Sequence, residues 1–238
     1  MKNKPFDTIG AEKKSGCLYI VSTPIGNLGD ITYRAVETLQ SVRLIAAEDT
    51  RRASILTRRY TIKTPLISFY EQNAHRRLPE LLKHLHNNED IALISDAGTP
   101  GISDPGYLLI RQCIDESVPV VAIPGSTAFV AALSVSGLPT DRFIFEGFLP
   151  VKKGRTKRLE ELAQEKRTII LYESPHRIGR TLSDLQLQCG DREIVIVREL
   201  TKLYEEVIRT TLSRAIQRFK ESKPRGEYVL VIHGADKE

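Results

Sequence analysis

DIALISDAGTPGISDPG, residues 90–106, decides the reading of this chain. Its first half is a short apolar run ended by Asp96, and its last ten residues hold three glycines and two prolines. A run that short, bounded by Asp and Gly, has the form of a strand buried on both faces of a parallel sheet. A glycine-rich loop at such a strand's carboxyl end is where open α/β sheets bind ligands. Working outward, LYIVSTP (18–24), LIAAED (44–49), PLISF (65–69) and PVVAIPG (119–125) repeat the form. Helical spacing lies between them: Ile31, Ala35, Val36 and Leu39 behind Asp30 as N-cap, then Leu78, Leu81, Leu82 and Leu85, then Tyr107 to Cys113. Five strand–helix repeats predict an open, mostly parallel α/β sheet.

The texture changes after the small-residue helix STAFVAALSVSG (126–137), where Leu138–Asp141 reads as a joint. RFIFEGF, TIILYES, EIVIVREL, EEVIRTTL and EYVLVIHG then read as strands. The third and fourth of these are too close for a crossover helix and should pair antiparallel, which makes the second sheet mixed. Helices are expected at Lys157–Gln164, Ile178–Gln188 and Ser213–Lys220, the last capped by Ser213 and the middle one stopped by Gly190. The expected organisation is a flexible leader (1–16), an N-terminal α/β domain (17–138) and a C-terminal α/β domain (139–238), with a cleft between the two domains.

Apolar residues make up 41% of the 238, enough for packed cores and too many for a disordered chain. Thirty-five Lys and Arg against 30 Asp and Glu leave a net charge of +5, a surplus that fits basic patches and not a basic protein. Three scattered cysteines, Cys17, Cys113 and Cys189, exclude a disulfide framework and a zinc ribbon. No apolar run has the length of a membrane span, and the first residues lack a secretory pattern, so a soluble cytoplasmic protein is expected.

Three loops follow strand ends: Thr23–Asp30, Asp96–Gly106 and Pro124–Ala128. For any one of them the plain reading is a chain turn; all three at the ends of one sheet make a ligand site. No Walker motif exists, and the first loop lacks G-x-G-x-x-G, with only Glu48 and Asp49 near the place of a ribose-gripping acid. The second loop contains no Lys or Arg, which suits a ligand that is not a polyphosphate. Ser126 is not in a nucleophile elbow, His176 fits a helix start as well as a base, and no ligand set for a metal is apparent. Positive charge is clumped at Val151–Arg158, at Arg51, Arg52, Arg58 and Arg59, and at His75–Arg77. Each alone reads as a solvated face; together they suggest a phosphate-binding rim for nucleic acid.

Taken in order, TPIGNLGD, AEDTR, SDAGTPGISDPG, GLPTDRFIFEGFLP, YESPHR, RELTKLYEE and GEYVLV resemble the ribosomal RNA small subunit methyltransferase I family of the tetrapyrrole methylase superfamily, over residues 18–232. The resemblance implies S-adenosylmethionine as cofactor. It also implies 2′-O-methylation of a cytidine ribose in the decoding region of 16S rRNA, in the free rRNA or the 30S subunit, by a homodimer of two-domain α/β subunits. It assigns cofactor contacts to Thr23–Gly29 (Pro24, Gly26 and Leu28), Asp96–Ile102 (Asp96, Gly98, Thr99, Gly101 and Ile102), Ser126 and Thr127. In the second half it assigns Tyr172, Ser174, Gly226 and Glu227. Two departures stand out: Gly101 replaces a bulkier apolar residue, and many relatives continue beyond the region of Gly234 into a small helical segment.

For the ribose proton, the strand-end acids Glu48, Asp49, Glu173 and Glu199 are candidates, with Glu173 and Asp49 first and Lys202 counted among the catalytic group. The plain reading of each is an ion-pair partner of a neighbouring base. Arg51, Arg52, Lys152, Lys153, Arg155 and Arg198 are the expected phosphate contacts. The rival readings are a tetrapyrrole C-methyltransferase, which the clustered arginines disfavour, and a non-catalytic RNA-binding assembly protein, which need not bind the methyl donor.

Overall fold

The computed structural model describes residues 15–221 and 223–235. Contacts divide the chain into two compact units: the residues up to Pro24 with Leu28–Ser126, and Ile25–Asn27 with the residues from Thr127 onward. Most of the leader expected at 1–16, residues 1–14, lies outside the described residues.

The first unit runs β1 (Leu18–Val21), α1 (Tyr33–Ser41), β2 (Leu44–Ala47), α2 (Thr50–Arg59), β3 (Leu66–Ser68), α3 (Ala74–His86), β4 (Ile91–Ile94), α4 (Tyr107–Asp115) and β5 (Val120–Ile123). Its five strands are all parallel, in the order β3-β2-β4-β1-β5. The chain moves one way along the sheet from β1 to β3 and the other way from β3 to β5. Right-handed crossovers therefore place α1 and α2 on one face and α3 and α4 on the other. The cores follow the strand alternation. Val21, Ile45, Ala47, Ala92 and Ile94 pack with Leu39 and Leu56 of the first helix pair. Leu18, Ile20, Ala46, Ile91 and Leu93 pack with Leu81, Leu85 and Leu109 of the second. Each such Leu or Ile contributes about 1.5–3 kcal/mol by leaving water.

One cap differs from expectation. Thr32, not Asp30, caps α1, its hydroxyl accepting from the Ala35 N–H at 3.2 Å, while Asp30 ends a short 3-10 turn. The β-region backbone of Thr32 (φ −81°, ψ 150°) gives its side chain the reach that a cap needs.

The second unit runs α5 (Ala128–Ser136), β6 (Phe143–Phe148), α6 (Arg155–Ala163), β7 (Thr168–Glu173), α7 (Ile178–Cys189), β8 (Glu193–Arg198), β9 (Glu206–Thr211), α8 (Leu212–Glu221) and β10 (Tyr228–Ile232). The sheet order is β6-β7-β10-β8-β9, with β6 parallel to β7 and the remaining pairs antiparallel. The expected antiparallel pairing of EIVIVREL with EEVIRTTL is there, from Glu193 opposite Thr211 to Arg198 opposite Glu206. Ile169, Leu171, Ile194, Ile196 and Leu230 face α6, α7 and α8, while Ile170, Val195, Val197, Val229 and Val231 face α5.

Two expectations are corrected here. The joint is not at 138/139: the contacts break between Ser126 and Thr127, because Ala132 and Leu133 of α5 bury themselves against the second sheet. Ser213 does not cap α8, whose first residue is Leu212. Asp191 does so, accepting from the Ser213 N–H at 2.7 Å and from its hydroxyl at 2.8 Å. Gly190 does stop α7, at φ 77°.

Candidate active site

In the first unit, β4, β1 and β5 are neighbours, so the three expected loops leave the sheet side by side. Their contacts are specific. Thr23 N donates to Gly98 O at 2.8 Å and Gly98 N donates back to Thr23 O at 3.1 Å, a two-residue antiparallel bridge between the first two loops. The Ser22 and Thr99 hydroxyls share a hydrogen bond of 2.8 Å, and Thr99 Oγ1 donates to Ser126 O at 3.4 Å, reaching the third loop. Gly125 lies so close to β1 that a Cβ there would stand 2.9 Å from Ser22 Cβ. Gly101 has φ +82°, a left-handed backbone that glycine adopts without strain. Pro24 and Gly98 are buried, Asp96 and Thr99 partly buried, and Ile102 exposed.

Acidic groups gather at the same strand ends. Asp96 Oδ1 accepts from Asp49 N at 3.0 Å, and Arg52 reaches Asp96 Oδ2 at 3.2 Å. Glu48 accepts a longer bond of 3.4 Å from Asp96 N. Burial raises the Glu48 carboxyl above the usual carboxylate value, a rise that the Asp96 N–H opposes and the Asp96 charge reinforces. Burial, with the charges of Glu48 and Asp96 and against a hydrogen bond from Ser95, pushes Asp104 up to about 6. Sequence reasoning misses Asp104 as a site residue; its signal is its place inside the longest glycine loop. Asp49 goes the opposite way. It caps α2, and the Arg51 guanidinium together with the Arg51 N–H holds its carboxyl at about 2, which makes it a poor proton acceptor.

The second unit brings five of the expected residues into one cluster. Lys202 Nζ donates to Glu199 Oε1 at 2.9 Å and to Glu227 Oε2 at 2.7 Å, and the Glu227 N–H donates to Glu199 Oε1 at 2.9 Å. A Cβ on Gly226 would fall within 2.7 Å of the Glu199 carboxyl, and one on Gly26 within 2.5 Å of Lys202 Cγ, so both positions require glycine. Asn27 N donates to Thr201 Oγ1 at 3.1 Å, which ties the Ile25–Asn27 segment to the same turn. Burial alone would lower Lys202, but its hydrogen bonds to Glu227 and Glu199 outweigh that and raise it. Lys202 is therefore a fixed cation and Glu199, lowered by that cation against its own burial, a fixed anion. Neither is a base.

Glu173 is corrected as well. Its side chain is fully buried, accepting from Thr181 Oγ1 at 2.6 Å and from Ser174 N at 2.8 Å, with Arg177 at 3.4 Å. A carboxylate enclosed in this way is a structural anchor between β7 and α7. Arg155 belongs to the same buried network. It reaches Asp184 at 2.8 Å, Thr181 Oγ1 at 2.9 Å and Pro150 O at 3.1 Å, so its guanidinium is engaged within the protein and not presented at the surface as expected. Arg198 is half-buried beside Glu206, 3.7 Å away. Arg51, Arg52, Lys152 and Lys153 are exposed, Arg51 paired to Asp49 at 2.7 Å. Tyr172 OH accepts from Phe129 N at 3.2 Å at the start of α5, and its ring packs edge-on to Phe145. Thr127 flanks α5 as its N-cap residue, Ser174 O accepts from the Arg177 and Ile178 N–H groups, and Leu28 O accepts from Tyr60 OH at 2.6 Å. Among the described residues, no cluster of His, Cys, Asp and Glu could hold a metal ion, and no helix is long and apolar enough to cross a membrane.

The family model of the Tetrapyrrole (Corrin/Porphyrin) Methylases matches residues 17–216. A ribosomal RNA small subunit methyltransferase I of Synechocystis sp. is 56% identical over 225 residues, 94% of this chain and 81% of that protein. The chain belongs to the tetrapyrrole methylases, in their ribosomal RNA small subunit methyltransferase I family. The methylase is also 49% identical to the Thermotoga maritima protein of that name, over 93% of this chain and 100% of the relative. The uroporphyrin-III C-methyltransferase of Thermus thermophilus, solved with S-adenosylhomocysteine, shares the fold: TM-score 0.65 and 18% identity over 92% of this chain and 97% of that one.

S-adenosylhomocysteine, the ligand of that Thermus thermophilus structure, is what remains of S-adenosylmethionine after methyl transfer. The first unit's loops fit it. Thr23 and Gly98 hold the first two loops together through main chain, Gly125 packs against Ser22 with no room for a side chain, and no Lys or Arg lies in residues 96–106. The carboxylates of Glu48 and Asp96 favour a cationic, phosphate-free ligand.

Proposed function

We propose that this methyltransferase acts on 16S rRNA and places the methyl group on the ribose 2′-oxygen of a cytidine in the decoding region. The observation that carries the reading is the triple-loop cradle at the ends of β1, β4 and β5, free of phosphate-neutralising side chains in its longest loop. The identity to proteins named for rRNA methylation supplies the substrate.

When bound, the cofactor supplies an electrophilic methyl on a positively charged sulfur. The chain's part is to hold and to exclude. Pro24, Leu28, Asp96, Gly98, Thr99, Gly101, Ile102 and Ser126 are the proposed cofactor contacts of the first unit. Gly26, Thr127, Tyr172, Ser174, Gly226 and Glu227 of the second are carried on the resemblance. The hydroxyl nucleophile must lose a proton, and Glu48, a strand-end acid whose carboxyl is raised by burial, is the proposed acceptor. Arg51, Arg52, Lys152 and Lys153 would contact phosphates. A homodimer located in the cytoplasm completes the proposal.

The test is methyl transfer from labelled S-adenosylmethionine to naked 16S rRNA and to 30S particles, followed by mapping of the product. A single 2′-O-methylcytidine in the decoding region is the expected result. A methylated base, or transfer to a tetrapyrrole precursor in place of rRNA, would overturn the reading.

A further inference from the structure

Past Ile102 the longest loop continues into Ser103-Asp104-Pro105-Gly106, and there it walls a cavity of about 440 Å³. The opposite wall is the turn from β3 into α3, with Phe69, Glu71 and His75, and Tyr107 at the start of α4 stands at its margin. The volume lies in the range of about 300–1,000 Å³ usual for small-ligand pockets. None of the lining residues is Lys or Arg. The carboxylates of Glu71 and Asp104 repel a phosphate and accept from N–H donors, while His75, Ser103 and Tyr107 can donate or accept. Asp104 makes no ion pair among the described residues, and its part-buried carboxyl, hydrogen-bonded to Ser95, lies close enough to feel the charges of Glu48 and Asp96. Tyr107 is 75% exposed, so its ring is open to a partner. Arg76, next to His75 and exposed, carries positive charge outside the cavity.

This combination matches one part of an RNA chain, a base turned away from its neighbours. Proteins read such bases by aromatic stacking and by hydrogen bonds to their edges, and carboxylates pair with the cytosine amino group. We propose that the cavity receives the base of the target nucleotide, Asp104 accepting from its exocyclic amino group and Tyr107 stacking on its face. The inference rests on the rRNA reading above and adds a subsite to it: the base would be held by β3–α3 and the end of the β4 loop, while its phosphates stay outside near Arg76.

The test uses the full chain, 30S particles whose methylated cytidine has been mapped, and particles with uridine at that position. Tyr107→Ala should lower kcat/KM about tenfold through loss of stacking, and Tyr107→Phe should restore it. Asp104→Asn should reduce the preference for cytidine over uridine about tenfold. Tyr107→Ala should bind S-adenosylmethionine as the wild type does in calorimetry. Wild-type kcat/KM in Tyr107→Ala, or wild-type base preference in Asp104→Asn, would overturn the proposal. So would weakened S-adenosylmethionine binding in Tyr107→Ala, which would give the cavity to the cofactor's adenine. Wild-type protein that transfers no methyl to 30S particles would fail at the earlier step, and so marks failure of the rRNA reading itself.

Discussion

Glu48 and Asp104 stand within one acidic group at the ends of β2 and β4, and both hold protons more tightly than exposed carboxylates do. Glu48→Gln should lower kcat by about 10²–10⁴-fold, the usual contribution of a general base, with the melting temperature retained. Asp104 has a stability consequence. Its folded value of about 6 against 3.8 unfolded means that the native state binds the extra proton between those values. The contribution of this group is therefore full below pH 3.8, falls as pH rises through 6, and is a penalty at neutral pH. Asp104→Asn should raise the melting temperature at pH 7.5, and the gain should vanish near pH 4. Arg155→Ala removes a buried guanidinium that holds the part-exposed Asp184, Thr181 and Pro150 and should lower stability by about 1–3 kcal/mol in denaturant titrations, without a change in the salt dependence of rRNA binding. Sequence does not separate Arg155 from Lys152 and Lys153 because a basic run does not state which member faces inward. The turn of α7 that brings Thr181 and Asp184 over it is 26 or more residues away. Glu173 misleads in the same way: at a strand end it looks open, and α7 closes it.

At the scale of elements, the strands are legible and the helix ends less so. Continuous apolar runs admit one reading in a sheet covered by helices on both faces, whereas Asp30, Thr32 and Ser213 are all cap residue types and only geometry selects among them. Asp191→Ala should therefore destabilise α8 by about 1 kcal/mol, measured by chemical unfolding, although Asp191 lies outside the helix. Helix α5 reads as part of the wrong domain because it is apolar all round: AFVAALSVS has no polar face to indicate which sheet it covers. The second-unit turn at Glu199–Lys202 is legible only as separate letters. Its joining to Gly26 and Gly226 depends on positive φ at Glu199 (51°) and Thr201 (66°), a backbone path with no sequence signature in non-glycine residues.

For the whole molecule, the fold class and the three strand-end loops follow from pattern, since parallel topology fixes which ends neighbour one another. The substrate does not follow from pattern; it comes from similarity. The exposed cations give that reading an independent check. Combining Arg51→Ala, Arg52→Ala, Lys152→Ala and Lys153→Ala should weaken rRNA binding in filter assays. For every phosphate that such a variant no longer neutralises, the slope of log affinity against log salt should flatten by about 0.7–0.9. Most directly at issue is whether the loops after β1, β4 and β5 hold the methyl donor. Calorimetric titration of S-adenosylmethionine into the wild type and into Gly125→Ala decides it. Saturable binding by the wild type, and its loss in a Gly125→Ala protein that still unfolds cooperatively, is the predicted result. A wild type that binds nothing, or a variant that binds equally well, would contradict it.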